Sequence, residues 1–286
     1  MARMRTLAER AEHLLGSAVV STSPVAGGDT CTSTRLRLSD GRSALIKTRS
    51  HAPDGFFEAE AEALRWLAEP GVAEVVEVLG VQADCLVLAW VEPTRPNPEA
   101  AAELGRMLAR LHASGAPGFG AEHDGFIGAL PLPNRSAGTW PEFFAVRRVL
   151  PYLRLAVDRG HVGTEDADAV EGVVRRIIEL AGPAEPPARI HGDLWSGNLV
   201  WNAERSAVLV DPAAHGGHRE TDLAMLTLFG LPQLGRVLAA YAEETPLADG
   251  WEQRQPLHQL FPLLVHAAMF GGRYGQLAGD AARKLL

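Results

Sequence analysis

Residues 4 to 15 carry apolar side chains at Met4, Leu7, Ala8, Ala11 and Leu15, a spacing that lines one side of a helix. Two extended runs follow, Thr34 to Leu38 and Arg42 to Lys47, and the short Ser39-Asp40-Gly41 connection between them predicts a hairpin. The run FFEAEAEALRWLAEPG predicts a helix that Pro70-Gly71 ends. On its wheel Phe57, Ala61, Leu64, Leu67 and Ala68 share one face, and Glu58, Glu62, Arg65 and Glu69 the other. Glu60 breaks this division, because three residues after Phe57 and four before Leu64 it points with the apolar stripe. An inward carboxylate left unpaired costs on the order of several kcal/mol, so the pattern asks for a cation. Lys47, at the end of the preceding strand, is the candidate; the alternative is that Glu60 sits at the rim of the stripe and reaches water.

Val75 to Val81 and Leu86 to Val91 predict two more strands, and the proline-rich EPTRPNP then breaks the chain. Beyond it the character changes. Glu99 to Ser114, Pro141 to Asp158 and Ala167 to Leu180 are periodic as helices, and no strand signal returns until Ala188. Short strands are expected over 188 to 211, and helices with Gly and Pro interruptions from Thr221 onward. The expectation is an α+β chain of two unlike lobes, residues 1–90 rich in strands and residues 91–286 mainly helical.

Composition narrows the classes. With 286 residues, 47% of them hydrophobic and 22% charged, the chain is expected to be globular, with a large core. A formal charge of -8 speaks against a general electrostatic grip on nucleic acid or an anionic membrane. Two cysteines, Cys31 and Cys85, are too few for a disulfide framework and suit a reducing compartment. No run resembles a secretory signal or a membrane span, so a cytoplasmic location is expected.

The stretch RIHGDLWSGNLVWNAERSAVLVDP, residues 189 to 212, carries the candidate chemistry. Asp193 and Asn198 are five positions apart, as in the catalytic loop of kinases, where Asp takes the acceptor's proton and Asn binds Mg²⁺. Asp211 follows the strand run Ala207 to Val210, where a second Mg²⁺-binding carboxylate would sit. Oxygen ligands suit this hard cation, which keeps several waters and takes the rest of its shell from nucleotide phosphates. Upstream, Gly27 and Gly28 in VAGGDTCTST could turn backbone N–H groups toward a phosphate, Lys47 would hold the α and β phosphates, and Glu60 would orient Lys47. The rival reading of His191, Asp193, His215 and His218 as a two-metal hydrolase leaves Asn198, Lys47 and Glu60 without a task.

Four segments, HGDLWSGN, DPAAHGGHRETDLAM, HDGFIGALPLPN with the following WPEFFAVRRVLP, and LLVHAAMFGGRY, together resemble the fructosamine kinase (ketosamine 3-kinase) family. That family lies in the aminoglycoside phosphotransferase and choline kinase branch of the protein-kinase-like fold. The resemblance runs from about residue 6 to residue 276, and it implies a two-lobe kinase-like fold with a β-rich small lobe. It also implies ATP and Mg²⁺ as cofactors and, as acceptor, the third-carbon hydroxyl of a ketosamine on a small amine or a glycated protein. Phosphorylation there destabilises the adduct, which makes such enzymes deglycating. Carried onto this chain, Asp193 is the base, Asn198 and Asp211 the Mg²⁺ ligands, Lys47 with Glu60 the phosphate clamp, and Ala89, Trp90 and Val91 the backbone that meets adenine. There are departures. Relatives often carry Glu at the position of Ala89, the glycine turn lacks G-x-G-x-x-G, and Pro212-Ala213 replaces Phe-Gly after Asp211. Ten residues between Asp211 and Asp222 leave no room for a phosphorylated activation loop.

Other residues have two readings each. Trp195 could stack on a sugar or wedge the loop against the helical lobe, and His215 and Arg219 could line the acceptor pocket or be packed and paired. Asp222 is expected to accept backbone N–H bonds near a helix start and brace the catalytic loop, and His112 to be a structural hydrogen-bonding residue. Cys31 is either redox-sensitive or a small core residue. A kinase of the same fold for an aminoglycoside, choline or another sugar, and a nucleotide-binding pseudokinase, are the competing functions.

Overall fold

Helix α1 (Leu7–Leu15) starts at Thr6, whose hydroxyl accepts the Glu9 N–H while the Glu9 carboxylate accepts that of Thr6, and it stops at Gly16, left-handed at φ 64°. The structure, a computed structural model, describes residues 6–26, 28, 30–204 and 206–286; Met4 and Gly27 lie outside them. After α1 come β1 (Val19–Val25), β2 (Thr32–Leu38), β3 (Ser43–Thr48), α2 (Phe56–Ala68), β4 (Val78–Gln82) and β5 (Cys85–Ala89). The strands form one antiparallel sheet in the order β1-β2-β3-β5-β4.

Alternation along these strands sorts the side chains onto two faces. Ala44, Ile46, Cys85 and Val87 pack toward Ala11 of α1, whereas Leu86 and Leu88 pack toward Phe57, Ala61 and Leu64 of α2. Lys47 is one residue past Ile46, so it faces α2. The stripe of α2 ends at Leu67; Ala68, expected on it, is exposed at the helix end. Strand β1 has no apolar alternation and its five central residues are exposed, which is why the sequence pattern does not announce it.

The helical lobe contains α3 (Pro98–Ala113), the hairpin β6 (Gly125–Ile127) and β7 (Leu130–Leu132), α4 (Trp140–Phe143), a π-helical turn Phe144–Val149, α5 (Leu150–Asp158), α6 (Thr164–Arg175) and α7 (Ile177–Leu180). It continues with β8 (Ala188–Ile190), β9 (Leu199–Asn202), β10 (Ser206–Leu209), β11 (His215–Gly217), α8 (Arg219–Phe229), α9 (Leu234–Glu244), α10 (Trp251–Phe270) and α11 (Tyr274–Arg283). The helix expected over 141 to 158 is therefore interrupted. Pro151 has no N–H to give the carbonyl of Arg147, and Arg148 Nη1 takes that carbonyl instead at 3.2 Å. Helices α3 and α9 pack so closely that a Cβ on Gly105 would lie 2.2 Å from the carbonyl oxygen of Val237.

Backbone bonds join the lobes: Val76 N–H donates to Leu209 at 3.0 Å, and Leu209 N–H to Glu74 at 2.8 Å. The cleft in front of this seam is bounded by β3 and α2 on one side and by the loops that follow β8 and β10 on the other. No helix among the described residues is long and apolar enough to cross a membrane.

Candidate active site

A cleft of about 1090 Å³ contains Lys47, Glu60, Asp193, Asn198 and Asp211 among its lining residues. Lys47 Nζ donates to Glu60 Oε1 at 2.6 Å and to Asp211 Oδ1 at 2.9 Å. Its side chain is only 8% exposed; burial alone would lower its pKa, but the two carboxylates more than offset this and hold it above the ordinary value. The inward Glu60 of the helical pattern thus has the predicted cation, and Asp211 is a second partner from the other lobe.

Asp211 is placed by an uncommon backbone. Strand β10 ends at Leu209, Val210 N–H donates to the Asn198 carbonyl at 3.1 Å, and Asp211 turns left-handed at φ 53°, which aims its half-exposed carboxylate into the cleft. Asn198 closes a 3₁₀ turn (Ser196–Asn198). Its Nδ2 donates to the Asp193 carbonyl at 2.8 Å, to Asp193 Oδ2 at 2.9 Å and to the Asp211 carbonyl at 3.3 Å, leaving its amide oxygen without a hydrogen bond among the described residues. A continuous chain of polar contacts therefore runs from Lys47 through Asp211 and Asn198 to Asp193. Burial pushes the Asp193 carboxyl up to about 7 against the opposing Asn198 bond, and the charges of Asp211 and Asp222 add to the rise.

Asp222, within the first turns of α8, accepts the N–H groups of His191 at 2.7 Å and Gly192 at 2.9 Å, so it braces the loop before Asp193. The helix itself is capped by His218, whose Nδ1 accepts the Glu220 N–H. His112 joins the brace, 3.2 Å from Asp222 Oδ2 and 2.9 Å from the Tyr241 hydroxyl. Gly192, at φ 79°, passes so near Ala213 that a Cβ would lie 2.2 Å from its carbonyl oxygen.

Gly28 and the half-buried Cys31 line the cleft, and burial pushes the Cys31 thiol up. Ala89, Trp90 and Val91 do not line it. The Ala89 N–H is taken by the Glu77 carbonyl at 2.9 Å and that of Trp90 by Ser43 at 3.3 Å; the Val91 N–H has no such partner among the described residues. Trp195 lines the cleft, 39% exposed, with Phe229 edge-on at 6.3 Å.

His215 and Arg219 are not brought to the cleft. His215 is buried behind the loop that bears Asp193, with Nδ1 on the Ala213 carbonyl at 2.8 Å and Nε2 accepting from Arg148 at 3.3 Å. Arg219 forks onto Glu185 with two 2.7 Å bonds and reaches the carbonyl of Pro246. Strand β11 turns the chain away after Ala214, so nearness to Asp211 in sequence does not carry into space. In their place the cleft is lined by His266, Met269 and Phe270 of α10 and by the segment 117–128 around β6, to which no site role was assigned from sequence. The segments containing them, LLVHAAMFGGRY and HDGFIGALPLPN, were visible only as part of a resemblance.

Burial also lowers His191, His215, His218 and His258, the third to about 3, so these rings are neutral in the fold. Unfolded histidines titrate near ~6.5. Their folded values are depressed, so the unfolded chain takes up protons first as the pH falls. Stability should then decline below that point by roughly 1 kcal/mol per buried ring per pH unit. Asp193, whose folded value is raised to about 7, opposes this as one group against four, so the urea midpoint should still be lower at pH 5.5 than at pH 7.5; a midpoint that rises at the acid pH would mean that the rings are not held neutral in the fold.

A family profile described as fructosamine kinase matches residues 3–286. A probable ketoamine kinase of Thermus thermophilus is 40% identical over 252 residues, 88% of either chain. The crystal structure of a protein from Thermobifida fusca, provisionally named a fructosamine-3-kinase, matches at a TM-score of 0.94 with 47% identity over 99% of both chains. A choline kinase structure from Streptococcus pneumoniae shares the fold, with a TM-score of 0.63 at 15% identity over 97% of this chain and 96% of that one.

Proposed function

The chain belongs to the fructosamine kinase family and is a kinase of ketosamines, and from that premise we propose that it transfers the γ-phosphoryl group of ATP to the third-carbon hydroxyl of its ketosamine. The observation that carries this reading is the hydrogen-bonded chain from Lys47 to Asp193 in one cleft. On this reading the lobes divide at residue 90/91.

Asp193 accepts the proton of the acceptor hydroxyl as its oxygen bonds to the γ-phosphorus and the bond to ADP breaks. A carboxyl near neutrality suits that exchange. Lys47, kept cationic and oriented by Glu60, exchanges its bond with Asp211 for phosphate oxygens, with Gly28 lining the cleft beside them. Adenine would extend beyond the lining of the cleft toward Val91, whose N–H, unlike those of Ala89 and Trp90, has no backbone partner among the described residues. Mg²⁺ fits the donor set, because the Asn198 amide oxygen is uncommitted and the Asp211 carboxylate faces the cleft. When bound it would neutralise part of the charge on the nucleotide's phosphates. Trp195 offers a flat apolar face to the sugar.

The acceptor amine is a free amino acid or a lysine side chain on a glycated protein, and phosphorylation commits the adduct to releasing that amine. The test is nucleotide turnover with fructosyl-, ribulosyl- and erythrulosyl-lysine, glycated protein, choline and an aminoglycoside, with the phosphate located by NMR. Turnover with ketosamines and phosphate on the third carbon is expected. Faster phosphorylation of choline or an aminoglycoside overturns the acceptor assignment, and ATP binding without turnover on any acceptor would make the chain a pseudokinase.

A further inference from the structure

Arg148 is the most deeply buried guanidinium among the described residues, 1% exposed, and it has no carboxylate partner. Such a charge is costly to bury. Its donors are nonetheless all engaged: Nη1 on the Pro133 carbonyl at 2.6 Å, Nη2 on Asn134 Oδ1 at 2.6 Å, and Nε on His215 Nε2 at 3.3 Å. Phe143 and Phe261 flank the guanidinium at 4.6 and 5.5 Å. The π-helical turn over Phe144–Val149, a local departure of a kind that recurs at functional sites, holds it there.

Two branches leave this cation. On one, Asn134 relays the contact: its Nδ2 donates to the His123 carbonyl at 3.1 Å, its N–H to Asp124 Oδ1 at 2.7 Å, and its carbonyl accepts from Ala121 at 3.0 Å. Residues 121 to 124 line the cleft. On the other, His215 donates to the Ala213 carbonyl, and the Ala213 N–H donates to His191 at 3.0 Å, two residues before Asp193. One side chain therefore ties the wall formed by residues 121–134 to the loops bearing Asp193 and Asp211.

We propose that Arg148 is a positioning residue that fixes the 121–134 wall against the catalytic loop and so sets the fit of the acceptor, not of the nucleotide. This rests on the reading above that the cleft beside Asp193 takes the acceptor. A core arginine kept only for stability would lower the amount of folded enzyme, and with it the apparent kcat, and leave the KM of both substrates unchanged. A positioning arginine separates them.

The experiment compares Arg148→Lys, Arg148→Met and Asn134→Asp with wild type, using whichever acceptor of the panel wild type turns over. Asn134→Asp keeps an oxygen for Arg148 but cannot donate to His123, so it loosens the wall while retaining the cation's partner. Expected is an acceptor KM raised about tenfold or more, with the KM for ATP changed less than about twofold. Arg148→Lys should fall between wild type and Arg148→Met. Hydrogen exchange, which needs no turnover, should speed up over residues 121–134 in Asn134→Asp. Unchanged acceptor KM and unchanged exchange in folded Asn134→Asp would overturn the proposal, even if Arg148→Met does not fold. Failure of wild type on every ketosamine but not on another acceptor would overturn only the substrate reading.

Discussion

Asp193→Asn is expected to bind nucleotide within about twofold of wild type and to lose turnover by about 10²–10⁴-fold, the usual range for removing a general base. The substitution keeps the shape of the side chain and an oxygen for the Asn198 Nδ2 that now sits 2.9 Å from Asp193 Oδ2. It removes the one group at this position that can take a proton. Nothing between Lys47 and Glu60 is touched, so the cationic grip at the other end of the cleft persists. Calorimetric titration with nucleotide, next to a coupled assay of ADP release, separates the two quantities. Full turnover in a folded Asp193→Asn enzyme would remove this residue as the base, and loss of nucleotide binding would mean that its charge serves the metal site.

What could be read before the fold was known followed from local rules. Glu60 was conspicuous because a charge on an apolar stripe violates the helical pattern, and its partner Lys47 lay within reach at the end of the preceding strand. The nearness of Asp193, Asn198 and Asp211 is legible from their spacing because one short loop and one hairpin, β9–β10, bring the three together. Residues whose position depends on long-range turns were not legible. His215 and Arg219 follow Asp211 closely, yet β11 pairs with β8 and carries them behind the catalytic loop. Conversely, His266 is 73 positions from Asp193 and reaches the same cleft only through the course of α10. The segment Ala89 to Val91 is legible only in part. A strand run over Leu86 to Val91 is visible, but that sheet bonding takes the Ala89 and Trp90 N–H groups depends on register with β3 and on Glu77. Arg148 was hidden in a helical run, where a charged residue is ordinarily a solvated one.

Glu220→Gln or Arg254→Met is expected to destabilise the fold by about 3–5 kcal/mol, because each leaves a partner's charge buried alone. Arg254 forks onto Glu220 at 2.6 and 3.0 Å, both side chains are nearly inaccessible, and His258 Nε2 lies 3.2 Å from Glu220 Oε2. Burial pushes the Glu220 carboxyl up, yet the bonds from His258 and Arg254 outweigh it and bring it down to about 2. Its folded value is depressed, so its contribution is full above the unfolded carboxyl's range and is lost only as the pH falls toward 2. The histidines above lose theirs first. His218, Glu220 and His258 also place three potential metal ligands within 4.8 Å of one another. Their chemistry favours the ion pair, however: Arg254 occupies both oxygens of Glu220, and His218 Nδ1 accepts a backbone N–H, which puts the proton of the neutral ring on Nε2, where a metal would have to bind. Urea denaturation of both variants and of Glu220→Gln/Arg254→Met checks the pairing. The double variant should lose clearly less than the sum of the singles, as coupled neighbours do. Additive losses, or a melting temperature of wild type raised by added zinc, would mean that these side chains are held by something other than each other.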